Sequence, residues 1–239
     1  MNGLKAQLPE ITQVAQLSKD ITGVDILICP PATLIAAAFA AARGIIAIGG
    51  QDCDAQDAGP YTGAISADML KDAGASTVIL GHSERRQGHG ETDAIVAAKA
   101  RAAHRAGLTA IICVGESQAQ RQAGQAFAVC AAQVAGSVPW DLPDLSLVIA
   151  YEPLWAIGSQ QGAPARDIAL MHAHIRQALV EHMGERGKTI RILYGGSVDA
   201  ANTRDILSLP EVGGALVGRA SLEADDFEAV IMAAATVAT

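Results

Sequence analysis

A glutamate and a histidine each follow a short apolar run, where side chains could carry chemistry. Glu152 stands in AYEPLWAIG and His82 in ILGHSERR. A carboxylate can act as a general base and an imidazole can donate a hydrogen bond or a proton, so the pair suits proton transfer beside a carbonyl group. That chemistry needs only a base and an electrophile, and we expect neither a metal nor an organic cofactor.

The neighbours of both residues favour a catalytic interpretation. A lone glutamate at a strand end more often caps a helix or lines a loop, but Pro153 fixes the turn and aims the carboxylate. Trp155 and Ile157 would keep water away from it. The polar residues after His82 would open a helical turn, and a helix N-terminus disfavours the imidazolium form, which leaves a neutral imidazole able to hydrogen-bond a carbonyl oxygen.

The remaining histidines show neither placement at a strand end nor metal-ligand spacing. We expect these five to be solvated and without a catalytic role: His89, His104, His172, His174 and His182.

Three glycine-bearing turns could hold an anion. They are AIGSQQG (156–162), YGGSV (194–198) and LVGRAS (216–221). Each alone is a weak signal, because glycine often serves only a turn. Two of them end consecutive predicted strands near the C-terminus, where barrels frequently bind phosphate through backbone N–H groups.

Seven apolar runs without polar alternation predict strands buried on both faces, as in a parallel sheet covered by helices. The runs are VDILICPP (24–31), IIAIGGQD (45–52), STVILGHS (76–83), TAIICVGE (109–116), SLVIAYEP (146–153), IRILYGGS (190–197) and GALVGRA (214–220). Polar residues stand at their C-terminal ends, where a (β/α)8 barrel carries its active site. A doubly wound sheet is the alternative, but it usually has a GxGxxG turn, which is absent here.

Helical patterns with proline or threonine at the start and glycine near the end separate these runs. They cover residues 31–43, 92–107 and 164–184, and a further helical pattern over residues 4–17 precedes the first strand. No linker interrupts the alternation, so we predict one domain over residues 1–239. The fold class is α/β, a barrel with only seven of its eight strands evident.

Composition restricts the partners and the cellular compartment. The net charge of -8 and the pI near 5.2 argue against nucleic acid or an anionic membrane as a general partner. The longest apolar stretch, residues 34–42, is far shorter than the roughly 20 residues that span a bilayer. We expect a cytoplasmic protein whose cysteines are reduced and mostly buried: Cys29, Cys53, Cys113 and Cys130.

Together, AYEPLWAIG, GHSERR, YGGSV and GALVG resemble the triosephosphate isomerase family, in the same order and spacing over nearly the whole chain. The resemblance implies a TIM barrel and an isomerase of glycolysis and gluconeogenesis that acts on a triose phosphate. It implies that Glu152 is the base and that His82 polarises the carbonyl, with Glu84 in support. It also implies backbone donors to phosphate at Gly158, Ser197, Gly218 and Arg219, and a lid over residues 153–163 that includes Pro153, Trp155, Ala156 and Ile157.

The start of the chain departs from the family pattern. The family's first strand ends in a GNWKMNG-like stretch whose Asn and Lys reach the active site, and this chain starts at the matching MNG. Lys5 lies beyond that turn and is not a replacement. We therefore expect the first strand to be missing and the activity to be lost or strongly reduced, by about 10⁴ or more. The alternative is a catalytically silent barrel that binds a phosphate ligand or serves as a scaffold.

The family also predicts the assembly. Its loop matching residues 53–64, with the PYTGAIS match that starts at Pro60 here, docks into a second subunit, so the resemblance implies a homodimer. Ala64 stands where the family usually has a carboxylate, and the pocket that receives the loop would lack the Asn and Lys of the first strand.

Overall fold

Six of the seven predicted strands are present in the computed structural model, which describes residues 1–142, 145–159 and 162–237. They form one parallel sheet in chain order: β1 (Leu27–Ile28), β2 (Ala47–Gly50), β3 (Thr77–Leu80), β4 (Thr109–Val114), β5 (Leu147–Tyr151) and β6 (Arg191–Tyr194). All six are shorter than predicted. The predicted runs included polar ends that lie outside the strands: QD lies in a loop, and the last residue of GHS, Ser83, already begins a helix.

The predicted seventh strand is wrong. Residues 214–220 pair with β6 only through an isolated bridge between Tyr194 and Ala215, supported by hydrogen bonds from Tyr194 N to Gly214 O (3.0 Å) and from Leu216 N to Tyr194 O (2.8 Å). The chain then turns into a short 3₁₀ helix that begins at Arg219. An apolar run paired on one side for so few residues does not extend into a strand, and the sheet is a curled half-barrel.

Ten α-helices are present among the described residues. They are α1 (Leu8–Leu17), α2 (Ile35–Ala42), α3 (Ala67–Asp72), α4 (Ser83–His89), α5 (Asp93–Arg105), α6 (Gln118–Gln122), α7 (Ala126–Ser137), α8 (Ala165–Met183), α9 (Thr203–Leu207) and α10 (Ala224–Ala235). Helix α5 begins after Thr92, whose hydroxyl accepts a hydrogen bond from Ile95 N, and α8 runs from the Pro164 cap to Gly184. The predicted positions of these two helices are therefore confirmed.

The helical pattern at the start of the chain forms α1, which joins the two ends of the helix layer. It packs against both α2 and α10. The carboxylate of Glu10 accepts a hydrogen bond from Ala224 N at 2.8 Å, at the start of α10, and Gln13 Nε2 donates to Asp225 Oδ1 at 2.6 Å. The layer of helices thus continues across the gap between the two edges of the sheet, β1 and residues 214–217. No strand precedes β1 in the described part of the chain.

The sheet buries both faces. One face packs on the helices and forms the main core, with fully buried residues such as Val78, Ile112 and Ile149. The other, inner face has a smaller cluster around Ile111, Cys113 and Ala150. All four cysteines are free, and three of them are buried. Among the described residues, no helix is both long and apolar enough to cross a membrane.

Candidate active site

Glu152 and His82 meet at the C-terminal edge of the sheet. Glu152 directly follows β5 and its side chain is only 2% exposed, while His82 follows β3 and caps the N-terminus of α4. Their side chains come within 2.8 Å, measured from His82 Nε2 to Glu152 Oε1. The chain places them 70 positions apart, so the parallel sheet brings them together.

The histidine has a defined protonation pattern in this arrangement. Its Nδ1 accepts a hydrogen bond from the backbone N–H of Glu84 at 3.3 Å, so the proton lies on Nε2, which donates to Glu152. Burial lowers the pKa of His82, but the hydrogen bond that His82 donates to Glu152 and the negative charges of Glu152 and Glu84 outweigh burial and raise that pKa. The pairing with Glu152 is therefore the main cause of the raised pKa.

Ser83 is a second partner that the sequence did not reveal. Its backbone N–H donates to Glu152 Oε2 at 3.0 Å, and its hydroxyl lies 3.4 Å from Oε1. The N–H belongs to the first turn of α4, where an anion is favourable. Together with burial, the negative charge of Glu152 raises the pKa of the Cys113 thiol, which keeps that thiol protonated.

The backbone around Glu152 is packed so closely that two neighbouring loops carry glycine. A Cβ atom on Gly115 would lie 1.8 Å from the carbonyl oxygen of Glu152, and one on Gly195 would lie 3.0 Å from its Cγ atom. Gly195 N also donates to Tyr151 O at 2.7 Å. The ends of β4, β5 and β6 thus fix the base of the Glu152 side chain, and a cavity of about 220 Å³ adjoins Ser83, Gly115 and Glu152.

Glu116 anchors the beginning of the segment after Glu152. This carboxylate is fully buried and accepts hydrogen bonds from Trp155 Nε1 at 2.8 Å and Tyr151 Oη at 3.2 Å. The guanidinium of Arg121 lies over the Trp155 ring at 4.2 Å and 3.4 Å from Glu116. The sequence showed an acidic residue after β4 but gave no sign that it would bind Trp155.

The remaining residues of the predicted lid lie in successive turns. Ala156 N donates to Pro153 O at 2.8 Å, Ala156 is fully buried, and Ile157 is 43% exposed. At the other end of the segment, Ala163 N donates to the hydroxyl of Tyr194 at 3.3 Å. Residues 160 and 161, which the predicted lid includes, lie outside the described residues.

The structure brings only some of the predicted phosphate-binding residues together. Ser197 follows β6 and its hydroxyl donates to Ser159 O at 3.0 Å, next to Gly158. Gly218 and Arg219 are exposed and lie after the segment that bridges to β6. Among the described residues, no hydrogen bond joins Gly218 or Arg219 to Ser197.

Glu84 and His172 lie in surroundings that the sequence did not predict. The backbone N–H of Glu84 contacts His82, but its side chain is exposed. The expectation that His172 is solvated is wrong, because its side chain is fully buried and its Nδ1 lies 3.0 Å from the carbonyl oxygen of Glu211. A helical position facing the sheet, at the spacing of Ile168 and Ile175, was the available sign of that burial.

Comparisons with known proteins agree with one another. The family model described as triosephosphate isomerase matches residues 1–234. A triosephosphate isomerase of Afipia carboxidovorans is 54% identical, over 96% of this chain and 92% of the relative, and one of Hyphomonas neptunium is 51% identical, over 98% and 95%. The crystal structure of triosephosphate isomerase from Bartonella henselae has a TM-score of 0.90 and 46% identity, over 98% of this chain and 94% of that one.

These comparisons also bear on the departures from the family pattern. The family match begins at residue 1 and at least 92% of each of these two relatives is covered, so the comparisons do not bear out the expectation that the family's first strand is missing. The described chain nevertheless begins with a helix, and its first strand is β1. They likewise give no support to impaired activity or to a silent barrel.

Proposed function

The chain belongs to the triosephosphate isomerase family, and on that premise we propose that it interconverts D-glyceraldehyde 3-phosphate and dihydroxyacetone phosphate with Glu152 as the base. The observation that supports this most strongly is the 2.8 Å contact between Glu152 and His82 at the ends of two parallel strands. A buried carboxylate next to an imidazole N–H is the minimum set for moving a proton between two carbons beside a carbonyl.

The contact between the two side chains must open during the reaction. The Oε1 atom of Glu152 accepts a hydrogen bond from His82 and its Oε2 atom accepts one from Ser83, so both oxygens already have partners. A substrate whose carbonyl oxygen accepts the Nε2–H of His82 replaces one of these bonds and frees the carboxylate to take a proton from carbon. Once Glu152 is displaced, burial and the N-terminus of α4 favour a neutral imidazole, which can pass a proton between the two oxygens.

Backbone donors suit the phosphate in this acidic protein. We propose that Gly158, Ser197, Gly218 and Arg219 present N–H groups to it, because a local cradle does not require a positive field over the whole surface. Residues 153–163 would then cover the substrate and exclude water. The hydrogen bond from Ser197 to Ser159 supports this, since it already joins one phosphate turn to the segment 153–163.

A coupled assay with glyceraldehyde 3-phosphate tests the function. We expect turnover by the wild type and by the control Glu185→Gln, an exposed glutamate that forms an ion pair with Lys188. Glu152→Gln and His82→Gln should each lower kcat by roughly 10² to 10⁴. Glyceraldehyde without phosphate should react far more slowly. Wild-type turnover no greater than that of Glu152→Gln would contradict the proposal.

We also propose a cytoplasmic homodimer in which residues 53–64 contact a second copy. A backbone hydrogen bond from Asp54 N to Ile65 O closes this loop, and Tyr61 at its tip is 48% exposed. An exposed aromatic residue on a loop suits an interface. Analytical ultracentrifugation should give a dimer mass for the wild type and a larger monomer fraction for Tyr61→Ser. A wild-type monomer at micromolar concentration would exclude this assembly.

A further inference from the structure

The ring of His172 lies between those of Tyr151 and Tyr194, two residues that support the candidate site. Its ring centroid is 5.9 Å from that of Tyr151, edge-on at 82°, and 6.5 Å from that of Tyr194. The two tyrosine rings are themselves 6.5 Å apart. We call these three residues the ring triad. Each member therefore contacts the other two, and a change in one ring alters the spacing of the others.

The ring triad holds both ends of the segment 153–163. Tyr151 donates its hydroxyl to Glu116 Oε1, the same oxygen that accepts the indole N–H of Trp155 at the beginning of the segment. Tyr194 accepts the backbone N–H of Ala163 at its end. Tyr151 also directly precedes Glu152. The spacing of two rings thus fixes where the segment starts, where it ends and where the carboxylate begins.

His172 is itself fixed from outside the triad. It sits on α8, and its Nδ1 donates to the carbonyl oxygen of Glu211. Glu211 has a left-handed backbone (φ 64°) and pairs with Arg176 at 2.7 Å, one turn further along α8. A non-glycine residue in that conformation is uncommon and needs surrounding contacts to hold it. The acceptor for His172 is therefore held by the same helix that carries His172.

Histidine is a poor choice for a position whose only role is to fill space in the core. Burial lowers the pKa of His172 to about 4, so the ring is neutral, and its buried Nε2 has no hydrogen-bond partner among the described residues. An unpaired polar atom in a core costs stability, which a leucine of similar volume would avoid. The buried, unpaired Nε2 atom of His172 therefore lowers the stability of the core.

We propose that His172 is a positioning residue, which sets the separation of Tyr151 and Tyr194 and thereby places Glu152 and both ends of the segment 153–163. Its effect on turnover rests on the isomerase function proposed above. Its effect on the segment does not, because Trp155 reports the position of the segment without any substrate.

The test compares two histidines of the same helix. His174 also bonds a backbone carbonyl, that of Phe127 at 3.1 Å, but it lies outside the ring triad. We expect His172→Leu to remain folded, to lower kcat by roughly tenfold or more and to change KM less. His174→Leu should behave as the wild type. In a Trp140→Phe background, which leaves Trp155 as the single tryptophan, emission should shift in His172→Leu and not in His174→Leu.

Conservative variants keep the test decisive if the leucine variant fails to fold. His172→Asn places an amide N–H near the position of Nδ1 and can still donate to Glu211, whereas His172→Gln places it near Nε2 and cannot. The proposal requires a higher kcat and a smaller Trp155 shift for Asn than for Gln. Equal values for both, or a His172→Leu with wild-type kcat and emission, would overturn it. A wild type without turnover would reject the isomerase function, and Trp155 emission would still decide the role of His172.

Discussion

Strand β4 pairs with a neighbouring strand on both sides, whereas β1 and residues 214–217 each have a paired neighbour on one side only among the described residues. Five residue pairs join β4 to β5, two join β1 to β2, and a single bridge holds Ala215 to Tyr194. His82 and Glu152 extend from the well-paired strands β3 and β5. The candidate phosphate residues lie on the less paired side of the sheet, where Ser197 comes after β6 and Gly218 after residues 214–217.

The difference matches what each half of the site must do. Proton transfer depends on atoms held within a fraction of an ångström, and Glu152 is fixed by glycine-lined strand ends on both sides. Backbone N–H groups around a phosphate tolerate more movement, because several donors share one anion. We expect substitutions on the well-paired side to affect the chemical step and the core, and those on the other side to affect binding more mildly.

The largest expected effect is catalytic. Glu152→Gln should lower kcat by roughly 10² to 10⁴, because the base is removed. Ser197→Ala removes the bond to Ser159 O on the other side and should mainly raise KM, by about tenfold, since it loosens a phosphate turn. Steady-state kinetics on both variants measure the contrast. A Ser197→Ala that loses as much kcat as Glu152→Gln would remove the distinction between the two sides.

Core substitutions on the inner face of the sheet should show the next largest contrast. Ile111 on β4 is 4% exposed, whereas Leu216 is only partly buried in the same inner cluster. Ile111→Ala should lower the free energy of unfolding by roughly 2 to 5 kcal/mol. Leu216→Ala should cost about 1 kcal/mol, because its side chain already contacts water. Urea denaturation measures both, and equal losses would show that the two sides are packed alike.

Acid should lower the free energy of unfolding through His172, which lies between Tyr151 on β5 and Tyr194 on β6. Its pKa is about 4 in the folded state, below the value of roughly 6.5 expected when unfolded, so the unfolded chain binds more protons between these values. Stability is therefore complete above this window and falls as the pH drops through it. From about pH 7.5 to about pH 5 the loss from this group is about 2 kcal/mol.

His172→Leu provides the control for this pH dependence. Among the described residues, the titratable and charged groups that face His172 are Tyr151, Tyr194, Glu211 and Arg176, and the variant retains them. Urea denaturation at both pH values should show a smaller loss for the variant than for the wild type. Identical losses would show that other groups cause the acid sensitivity.

The smallest expected effect concerns an ion pair between the starts of β1 and β6. Asp25, just before β1, lies 2.8 Å from Arg191 at the start of β6, and both side chains are largely exposed, at 79% and 48%. A double-mutant cycle to alanine should give a coupling below about 1 kcal/mol that disappears in concentrated salt. A larger, salt-resistant coupling would show that this pair is a main link between β1 and β6.

The sequence predicted the well-paired side better than the other. Continuous apolar runs located β3, β4 and β5, and the polar residues after them located His82 and Glu152, because parallel strand ends meet at one edge. The run at 214–220 is equally apolar, yet it does not form a strand, since strand formation requires a partner that a local pattern does not reveal. Its composition alone could not distinguish it from β6.

The contacts of Glu116 and of the ring triad could not be predicted from the sequence, for a different reason. The hydroxyl of Tyr151 donates to Glu116 across 35 residues of sequence, and that of Tyr194 accepts the backbone N–H of Ala163 across 31. His172 carries no motif, and only its helical spacing indicates a buried face. Pairings of this kind depend on how the sheet curls, which no local spacing encodes.

Isomerisation in deuterium oxide tests the central claim most directly, because a base that removes a proton from carbon can exchange it with solvent before returning it. Proton NMR of dihydroxyacetone phosphate formed from glyceraldehyde 3-phosphate would follow the carbon that receives the proton. We predict that part of the wild-type product carries deuterium there, and that Glu152→Gln forms such product at least about a hundredfold more slowly. Product without solvent deuterium, or an equal rate in Glu152→Gln, would contradict Glu152 as the base.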